Sequence, residues 1–398
     1  MCLIVKCEER RRMMKILILT AKYGMGHVSA ANSIKEEIEK FHPGAQVEIV
    51  DFYEYSMPFL AKYMYKAFKA IVKYTQSFYI KFYEQNDREK TTTDIITKKF
   101  ACMTSQIISE EKPDMIISTF PIISQGVGYY KEVYGGDIHL VTVITDVSSH
   151  YEWLNPYTDA YLVASHQLKE KIVEKGIDED KVHVFGIPVS NKFKKIRINK
   201  ARKLYSKKSD KLAVLGEYKK KKELLIIGGG LGILPDEDTF YDKLNRIDNL
   251  HTTLVVGNNE NLYNLINGRY ENIEVLGFTD RVPEFMEKAD CVMTKPGGIT
   301  VFEAIYSMTP IISFDTKLPN ELKNQDFIVD EDFGIVLHTA ASGCLDMVER
   351  FVNNTKRLDR IRNSMFNYVN GLERNYFYKE LYINGDFGVQ PNKKVKNM

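Results

Sequence analysis

The stretch KILILTAKYGMGHVSAANSI, residues 15–34, runs from an apolar segment through a glycine-containing turn into an amphipathic segment. Its β-branched start predicts a buried strand, and the residues after the turn predict a helix. Gly24 and Gly26 allow positive φ and close backbone approach, so whatever binds there meets a helix N-terminus. A dinucleotide-binding turn reads Gly-x-Gly-x-x-Gly, but Ser29 stands at the third glycine position. The stretch therefore predicts a strand–turn–helix unit with part of a dinucleotide fingerprint.

His27 occupies a position of this turn where dinucleotide-binding turns usually have a small residue. An imidazole with a pKa near 6.5, at the mouth of a cleft, can take a proton from an alcohol at neutral pH. Such general-base catalysis typically contributes about 10²- to 10⁴-fold. We predict that His27 is a general base. The alternative, a histidine that only hydrogen-bonds within the turn, stays open on this motif alone.

The strand–helix rhythm of this stretch repeats along the chain, in one series up to residue 190 and in a second from residue 223. This alternation predicts an α/β protein with two Rossmann-like domains facing an interdomain cleft. The expected segments are an N-terminal domain at 14–196, a linker region at 197–222, a C-terminal domain at 223–344, and helices packing across both domains at 345–385.

Length, charge and cysteine spacing indicate a two-domain protein and argue against nucleic-acid binding, membrane spans and a Cys-x-x-Cys site. A chain of 398 residues suits two domains, and a net charge of +2 gives no overall attraction to nucleic acid. No apolar run reaches the roughly 18–20 residues of a membrane span, and the first residues are unlike a signal peptide. The 5 cysteines form no Cys-x-x-Cys pair. We therefore expect a cytoplasmic protein that binds no nucleic acid.

A second glycine turn, KPGGITVFEA at residues 295–304, again leads from an apolar run into a helix-like segment. Unpaired amides at a helix start, together with the helix dipole, favour an anion. Lys295, Gly297, Gly298 and Thr300 are therefore predicted to hold a diphosphate. Glu303, about one turn further, is placed to accept both hydroxyls of a ribose; its alternative is an acid that only favours the helix dipole.

Two further loops are candidates for the same binding site. GFTDRVPEFMEKAD, from residue 277, offers backbone groups at Phe278 and Val282 to a base edge, with the Phe278 ring as a stacking surface. IIGGGLG, from residue 226, adds a third glycine turn through Gly228, Gly229 and Gly230. A plain flexible loop is the alternative for this third turn.

Five motifs occur together in one order: LTAKYGMGHVSAA, VITDVSSHYEW, VHVFGIPVSNKF, GGGLG and MTKPGGITVFEA. Through them, over about residues 14–375, the chain resembles the monogalactosyldiacylglycerol synthase and processive diacylglycerol beta-glucosyltransferase family of GT-B glycosyltransferases. These are relatives of the peptidoglycan lipid-intermediate N-acetylglucosaminyltransferase. The resemblance implies a UDP-hexose bound chiefly by the C-terminal domain and an apolar acceptor, diacylglycerol, at the N-terminal domain. It also implies inversion at the anomeric carbon, with no cofactor and no bound metal.

The resemblance also implies roles for individual residues. His27 matches the acceptor-side histidine of the family. Gly297, Gly298 and Thr300 match its diphosphate loop, and Glu303 matches the acid that holds the ribose. Asp146, in VITDVSSHYEW, matches the Thr-Asp of the family motif and is expected to orient or tune the base; a turn residue at a strand end is the alternative. His150 and Trp153 follow at the family spacing and are expected on the acceptor side.

The sugar-binding turn departs from the family pattern. The family often has Pro-Gly-Gln-Glu ahead of an asparagine, whereas this chain has Pro319, Asn320, Glu321 and Asn324, one residue short and without the glutamine. Glu321 and Asn324 are expected to contact the donor, and the choice between glucose and galactose stays open. Three Asp-x-Asp pairs suggest a metal-dependent donor site as an alternative, but they lie in short acidic loops away from the glycine turns: Asp178/Asp180, Asp236/Asp238 and Asp330/Asp332.

A long segment near the N-terminus, residues 55–83, contains no acidic residue. Lys62, Lys66, Lys69 and Lys73 fall on one helical face, and each lysine near an anionic membrane contributes roughly 1 kcal/mol. We predict contact with an anionic membrane surface; a solvated lysine face and aromatic core packing are the alternatives. The aromatic residues of the segment include Tyr63, Phe68, Tyr74 and Phe78.

The sequence as a whole predicts an inverting transferase that moves glucose or galactose from a UDP-sugar to the hydroxyl of diacylglycerol. The product is a β-glycosyldiacylglycerol, and the enzyme is expected to lie peripherally on the inner face of the cell membrane. Two enzyme alternatives are N-acetylglucosamine transfer to a peptidoglycan lipid intermediate and a UDP-sugar 2-epimerase. A nucleotide-sensing binding module is the non-enzymatic alternative.

Overall fold

The computed structural model of the chain describes residues 13–88, 95–206, 221–229, 232, 234–338 and 343–379. We call the described residues up to 206 the N-terminal unit, and we call the described residues from 221 onward the C-terminal unit. The strands of the N-terminal unit are β1 (Lys15–Thr20), β2 (Gln46–Asp51), β3 (Met115–Ser118), β4 (His139–Val143), β5 (Ala160–Val163) and β6 (Val182–Val184). Its helices are α1 (Gly26–Phe41), α2 (Phe52–Ser56), α3 (Pro58–Tyr74), α4 (Gln76–Gln85), α5 (Ile95–Glu111), α6 (Pro121–Tyr134), α7 (His166–Glu174) and α8 (Asn191–Ser206).

The C-terminal unit repeats the pattern and ends in three helices. Its strands are β7 (Lys222–Ile227), β8 (Leu250–Val255), β9 (Ile273–Leu276), β10 (Cys291–Thr294), β11 (Ile311–Phe314) and β12 (Gly334–Leu337). Its helices are α9 (Asp238–Asn245), α10 (Glu260–Ile266), α11 (Val282–Lys288), α12 (Gly298–Tyr306), α13 (Pro319–Asp330), α14 (Leu345–Asn353), α15 (Thr355–Asn370) and α16 (Tyr376–Lys379).

Each unit contains one parallel six-stranded sheet, in the orders β2-β1-β3-β4-β5-β6 and β12-β11-β10-β7-β8-β9. The strand order of the C-terminal sheet is that of a Rossmann fold. The N-terminal sheet begins with the order β2-β1-β3, as flavodoxin-like sheets do. Because helices cover both faces of such sheets, the strands are apolar throughout, and Ile16 to Leu19 of β1 are fully buried. The predicted α/β class with two Rossmann-like units is confirmed.

Strand order locates the binding edges. Ligands of open α/β sheets bind at the carboxyl ends of the strands, where the order reverses. These points lie between β1 and β3 in the first sheet and between β7 and β10 in the second. The two edges meet: a Cβ added at Gly298, the first residue of α12, would lie 2.1 Å from the carbonyl oxygen of Thr145, just past β4. The second glycine turn predicted from sequence therefore lies against the loop after β4, across the units.

The first part of the expected linker region is helical. Helix α8 runs to Ser206, ten residues into the range 197–222, and 207–220 lie outside the described residues. The buried face of α8 is formed by Phe193, Ile196 and Ala201, which recur at helical spacing. Lysines and arginines occupy most positions between them, so the sequence shows no clear apolar periodicity.

The end of the described chain returns to the N-terminal unit. Glu373 accepts hydrogen bonds from the backbone N–H of Val184 at 3.2 Å and from Nδ1 of His183 at 3.2 Å. Phe377 of α16 packs edge-on against Phe185, with ring centroids 5.6 Å apart. Residues 380–385 of the expected C-terminal helical segment lie outside the described residues. Within the described ranges, every helix is too short or too polar to cross a membrane.

Candidate active site

His27 lies one residue into α1, directly above the point where the first sheet reverses its order. Its Nδ1 atom is 2.8 Å from the carbonyl oxygen of Thr119, just past β3, and 2.9 Å from Oγ1 of Thr145. A carbonyl oxygen only accepts, so Nδ1 carries the proton in the neutral ring. Nε2 is then the nitrogen with a lone pair, the form that a general base requires.

Aromatic rings surround the His27 imidazole. Phe120 packs edge-on at a centroid distance of 5.0 Å, and the indole of Trp153 lies at 6.3 Å. This burial lowers the pKa of His27 to about 4, against the opposing effect of its hydrogen bond to Thr119. The imidazole is therefore neutral and able to accept a proton at neutral pH.

Asp146 is directed to the C-terminal unit in this structure. Its Oδ1 accepts a hydrogen bond from Nδ2 of Asn324 at 3.3 Å, and burial raises the pKa of its carboxyl group. The hydrogen bonds that orient the His27 ring come from Thr119 and Thr145 instead. Sequence reasoning missed both threonines, although each is a polar residue directly after an apolar strand. A role of Asp146 in catalysis stays a prediction.

The second glycine turn leads from β10 into α12. The helix starts at Gly298 with Gly297 as its N-cap, and no side chain caps its first amides. A Cβ added at Gly297 would meet no atom within 4 Å, so space is open beside the turn. Lys295 and Thr300 flank it and are half-buried. An uncapped, accessible helix start is suited to an anion, and the predicted diphosphate site lies here.

Glu303 lies on α12 about one turn after the uncapped amides. Burial raises the pKa of its carboxyl group to about 8. Ionising such a group is costly unless hydrogen-bond donors compensate, and ligand hydroxyls are donors of the required kind. Its position and its pKa make Glu303 the strongest candidate for a ligand contact in the C-terminal unit.

The other predicted donor residues lie around the same edge. Gly228 and Gly229 follow β7; a Cβ at Gly228 would lie 2.9 Å from Cγ of Leu234, and Gly229 has φ +65°. Gly230 lies outside the described residues. The ring of Phe278 is 69% exposed in the loop after β9, and Val282 begins α11. Strand β7 pairs with β10, so Gly228 is near the α12 turn, whereas Phe278 and Val282 follow the edge strand β9; the donor contacts of all these residues stay predictions.

Asn324 joins the two units. The side chain is fully buried, and its Oδ1 accepts the backbone N–H of Val147 at 2.9 Å. Its Nδ2 donates to the carbonyl oxygen of Pro296 at 2.7 Å and to Asp146. Glu321, one turn earlier on α13, accepts from Oγ1 of Thr316 at 2.5 Å. The amide predicted to contact the donor sugar thus connects the second glycine turn to the loop after β4.

Helix α3 packs one face inward and exposes the other. Inside, Phe68 contacts Tyr23 of the first glycine turn at a centroid distance of 4.8 Å. Outside, Phe59 and Tyr63 are 89% and 68% exposed. The exposed lysines of this face are Lys62, Lys66 and Lys69. The side chains of Lys73, Tyr74 and Phe78 lie outside the described residues.

Gly24 and Gly26 shape the turn that leads into His27. Gly24 has φ +86°, where a larger residue would be strained. A Cβ added at Gly26 would lie 3.3 Å from Cγ1 of Ile299 on α12, so this turn and the second glycine turn are in near contact.

His150 and Trp153, expected on the acceptor side, are both buried. Nδ1 of His150 accepts the backbone N–H of Glu152 at 3.1 Å, so its Nε2–H donates to the carbonyl oxygen of Tyr83 at 2.9 Å. The two hydrogen bonds of His150 hold the loop after β4 against α4, and the Trp153 indole lies 6.3 Å from the His27 ring; an acceptor contact of either side chain stays a prediction. In the parts of the chain that the structure describes, no group of three or more His, Cys, Asp or Glu side chains is arranged to hold a metal ion.

The chain is similar to known proteins over most of its length. Residues 27–189 match the family model described as monogalactosyldiacylglycerol (MGDG) synthase. A processive diacylglycerol beta-glucosyltransferase of Bacillus subtilis is 30% identical over 81% of this chain and 83% of that protein. One from Bacillus licheniformis is 29% identical over 88% and 90%.

Solved structures share the fold at low identity. MurG of Acinetobacter baumannii has a TM-score of 0.60 at 14% identity, covering 92% of this chain and 97% of that one. The Anabaena protein HepE, solved with UDP and glucose, has a TM-score of 0.52 at 14% identity, covering 92% and 98%. The two facing sheets thus have the GT-B fold. On this sequence similarity the chain belongs to the family of monogalactosyldiacylglycerol synthases and processive diacylglycerol beta-glucosyltransferases.

Proposed function

We propose that this protein is an inverting hexosyltransferase that moves a sugar from a UDP-hexose to the hydroxyl of diacylglycerol. The relatives named as diacylglycerol glucosyltransferases support this substrate pair. The observation that carries the proposal is the meeting of the two glycine turns. The unprotonated Nε2 of His27 belongs to one turn and the uncapped start of α12 to the other.

A single displacement follows from this arrangement. His27 removes the acceptor proton at Nε2 while the acceptor oxygen attacks the anomeric carbon. The bond from that carbon to the diphosphate breaks, and its electron pair leaves with UDP. The amides at the start of α12 stabilise the charge that develops on the diphosphate, since they are fixed in place before the reaction.

Glucose is the hexose we propose for the donor, because relatives that align with 81–88% of the chain are named glucosyltransferases. Lipid products from diacylglycerol with UDP-glucose and, separately, UDP-galactose test this choice. UDP-N-acetylglucosamine with a peptidoglycan lipid intermediate tests the first enzyme alternative. Hydrolysis or epimerisation of the donor without any lipid product would contradict the transferase proposal.

The low pKa of His27 has a kinetic consequence. We expect kcat/KM to rise with pH to half its plateau at about 4 and then to stay level through neutral pH. An unperturbed imidazole would give this midpoint near 6.5. The midpoint is read from kcat/KM measured across this pH range, and circular dichroism at each pH confirms that the protein is folded. A midpoint near 6.5 would show that a solvated histidine is the base.

Glu303 predicts a pH dependence of donor binding. Ribose hydroxyls donate best to the ionised carboxylate, so UDP affinity is low below the pKa of about 8 and increases as the pH rises towards it. A group with this pKa goes from about 1% ionised at pH 6 to about 50% ionised at pH 8, so we expect UDP affinity to increase by up to roughly fifty-fold over this range. Glu303→Gln should remove this increase, and calorimetric titration of both proteins across this range measures it. Parallel profiles would exclude Glu303 from the ribose contact.

We also propose that the exposed face of α3 attaches the protein peripherally to the anionic inner surface of the cell membrane. Three exposed lysines, Lys62, Lys66 and Lys69, and the exposed rings of Phe59 and Tyr63 lie on this face. Cations attract acidic headgroups, and aromatic side chains fit the headgroup level. A lipid acceptor then reaches the N-terminal unit directly from the bilayer.

Changing Lys62, Lys66 and Lys69 to Gln tests this attachment. At roughly 1 kcal/mol per lysine, binding to anionic vesicles should fall by roughly 10²-fold at low salt. A matched variant with the exposed residues Lys195, Lys288 and Lys356 changed to Gln alters the net charge equally. Vesicle sedimentation measures the membrane binding of each variant. Equal binding of the two variants would contradict a specific membrane-binding surface on α3.

A further inference from the structure

Three buried threonines lie beside the His27 imidazole, at the carboxyl ends of neighbouring strands of the first sheet. Thr20 ends β1, Thr119 follows β3, and Thr145 lies two residues past β4. Each of the three is at most 3% exposed. The hydroxyl of Thr119 donates to Oγ1 of Thr20 at 2.9 Å, across the point where the strand order reverses. The base therefore lies against a buried set of neutral polar groups.

Thr119 and Thr145 hold the ring in different ways. Thr119 contributes a backbone carbonyl, and its own N–H donates to the carbonyl oxygen of Leu19 in β1 at 3.1 Å, so the sheet fixes this acceptor. Thr145 contributes a side-chain hydroxyl from the loop after β4. Because the proton on Nδ1 of His27 is shared between these two acceptors, the direction of Nε2 depends on both. One acceptor is thus set by the sheet and the other by a loop.

Neutral groups here take the place of a carboxylate. In a catalytic triad a carboxylate holds the histidine in one tautomer and stabilises the ring when it becomes charged. Asp146, the acid next to Thr145, instead accepts a hydrogen bond from Asn324 of α13. Both acceptors of Nδ1 are therefore uncharged, and loss of either one leaves a single hydrogen bond to fix the ring of His27.

The loop that contributes the Thr145 hydroxyl is held on its other side by the C-terminal unit. The carbonyl oxygen of Thr145 lies so close to Gly298 that a Cβ added there would be 2.1 Å away. Asn324 donates to the carboxylate of Asp146 and accepts the backbone N–H of Val147. Three consecutive residues of the loop are thus fixed by contacts with α12 and α13.

We propose that Thr145 is a positioning residue whose hydroxyl orients Nε2 of His27 towards the acceptor only while the α12 turn packs against the loop after β4. This inference rests on the proposed function and makes the base depend on the donor side. When the units separate, the loop loses its contacts with α12 and α13, and Nδ1 keeps only the carbonyl of Thr119. The base is then poorly oriented, and a misplacement of about 1 Å at a reacting centre can cost 10²-fold in rate.

Thr145→Val removes the hydroxyl and keeps the branched shape of the side chain. We expect kcat for transfer from UDP-glucose to diacylglycerol to fall roughly tenfold, with the KM for diacylglycerol and the UDP affinity unchanged. Thr145→Ala removes the same hydroxyl and should give a similar loss, whereas Thr145→Ser keeps it and should recover most of the wild-type kcat. Circular dichroism confirms the folding of each variant.

Thr142→Val is the matched control. Thr142 of β4 is also buried, but its hydroxyl bonds to Ser124 and Thr158 instead of the base, so kcat should stay at the wild-type value. Wild-type kcat in the valine and alanine variants of Thr145 would overturn the inference and leave the proposed function intact. A wild-type protein that transfers no sugar to diacylglycerol would overturn the proposed function, and the inference with it.

The His27→Ala background separates positioning of the base from a structural role of Thr145. With no ring to orient, Thr145→Val should change the small residual rate by less than about twofold. A tenfold loss that persists in this background would show that Thr145 acts on something other than the base, which contradicts the inference.

The dependence on the α12 turn is tested by combining Thr145→Val with Gly298→Ala. If the displaced turn acts through the Thr145 hydroxyl, the double variant should lose little more kcat than Gly298→Ala alone. A full further tenfold loss would show that the two positions act independently and would overturn the link between the base and the donor side.

Discussion

His27→Ala is expected to lower the rate of transfer to diacylglycerol by about 10²- to 10⁴-fold, with UDP affinity unchanged. The ring lies on the N-terminal unit with its protonated Nδ1 held by Thr119, and its Nε2 is the only ring atom left to take a proton. Alanine removes that acceptor but leaves the α12 turn intact. Initial rates and calorimetric titration with UDP measure the two effects separately.

His166→Ala serves as the control for this variant. His166 is exposed on α7 and belongs to none of the proposed sites, so its removal should leave the transfer rate unchanged. Turnover of His27→Ala near that of the wild type would mean that another group takes the proton. A loss of UDP affinity in step with the rate would point to a structural role of the histidine in the turn.

Gly298→Ala is expected to have the second large effect. The added methyl group would lie 2.1 Å from the carbonyl oxygen of Thr145, well inside contact distance, and backbone atoms on both sides must move to accept it. The movement separates the α12 turn from the loop that holds His27. A displacement of about 1 Å at a reacting centre can cost 10²-fold in rate, and we expect a loss of that order in kcat.

Thermal stability should change little in this variant, because the clash lies between the units and each sheet keeps its own core. Gly44→Ala is the matched control, since a Cβ there meets no atom within 4 Å. Steady-state kinetics and thermal melts of the three proteins measure both quantities. Wild-type kcat in Gly298→Ala would show that the units stand further apart during catalysis than in this structure.

Much of the fold was predictable because its signals are local. Apolar runs such as Ile16–Leu19 are buried on both faces of a parallel sheet, and glycine turns mark the strand ends where ligands bind. Helix α8 shows the limit of this reasoning. Its buried face is made by Phe193, Ile196 and Ala201, but the many basic residues between them made the segment resemble a linker.

The site was predictable only in part. The position of His27 in the first glycine turn follows from sequence, but its hydrogen-bond partners do not. Thr119 contributes a backbone carbonyl, which every residue type has, so no side-chain pattern reveals it. Asn324 bonds to Val147, 177 residues away, and periodicity contains no information on such contacts. Contacts between residues far apart in sequence are therefore seen only in the folded structure.

The joint made by Asn324 limits how far the two units can be treated as interchangeable modules. A chimera that takes the N-terminal unit from one relative and the C-terminal unit from another must keep the partners of this amide, Asp146 and Val147, in matching geometry. It must also keep Glu373 with His183, since the last helix returns to the first sheet. Exchange of donor specificity between relatives is therefore best designed by grafting loops within the C-terminal unit rather than by swapping whole halves.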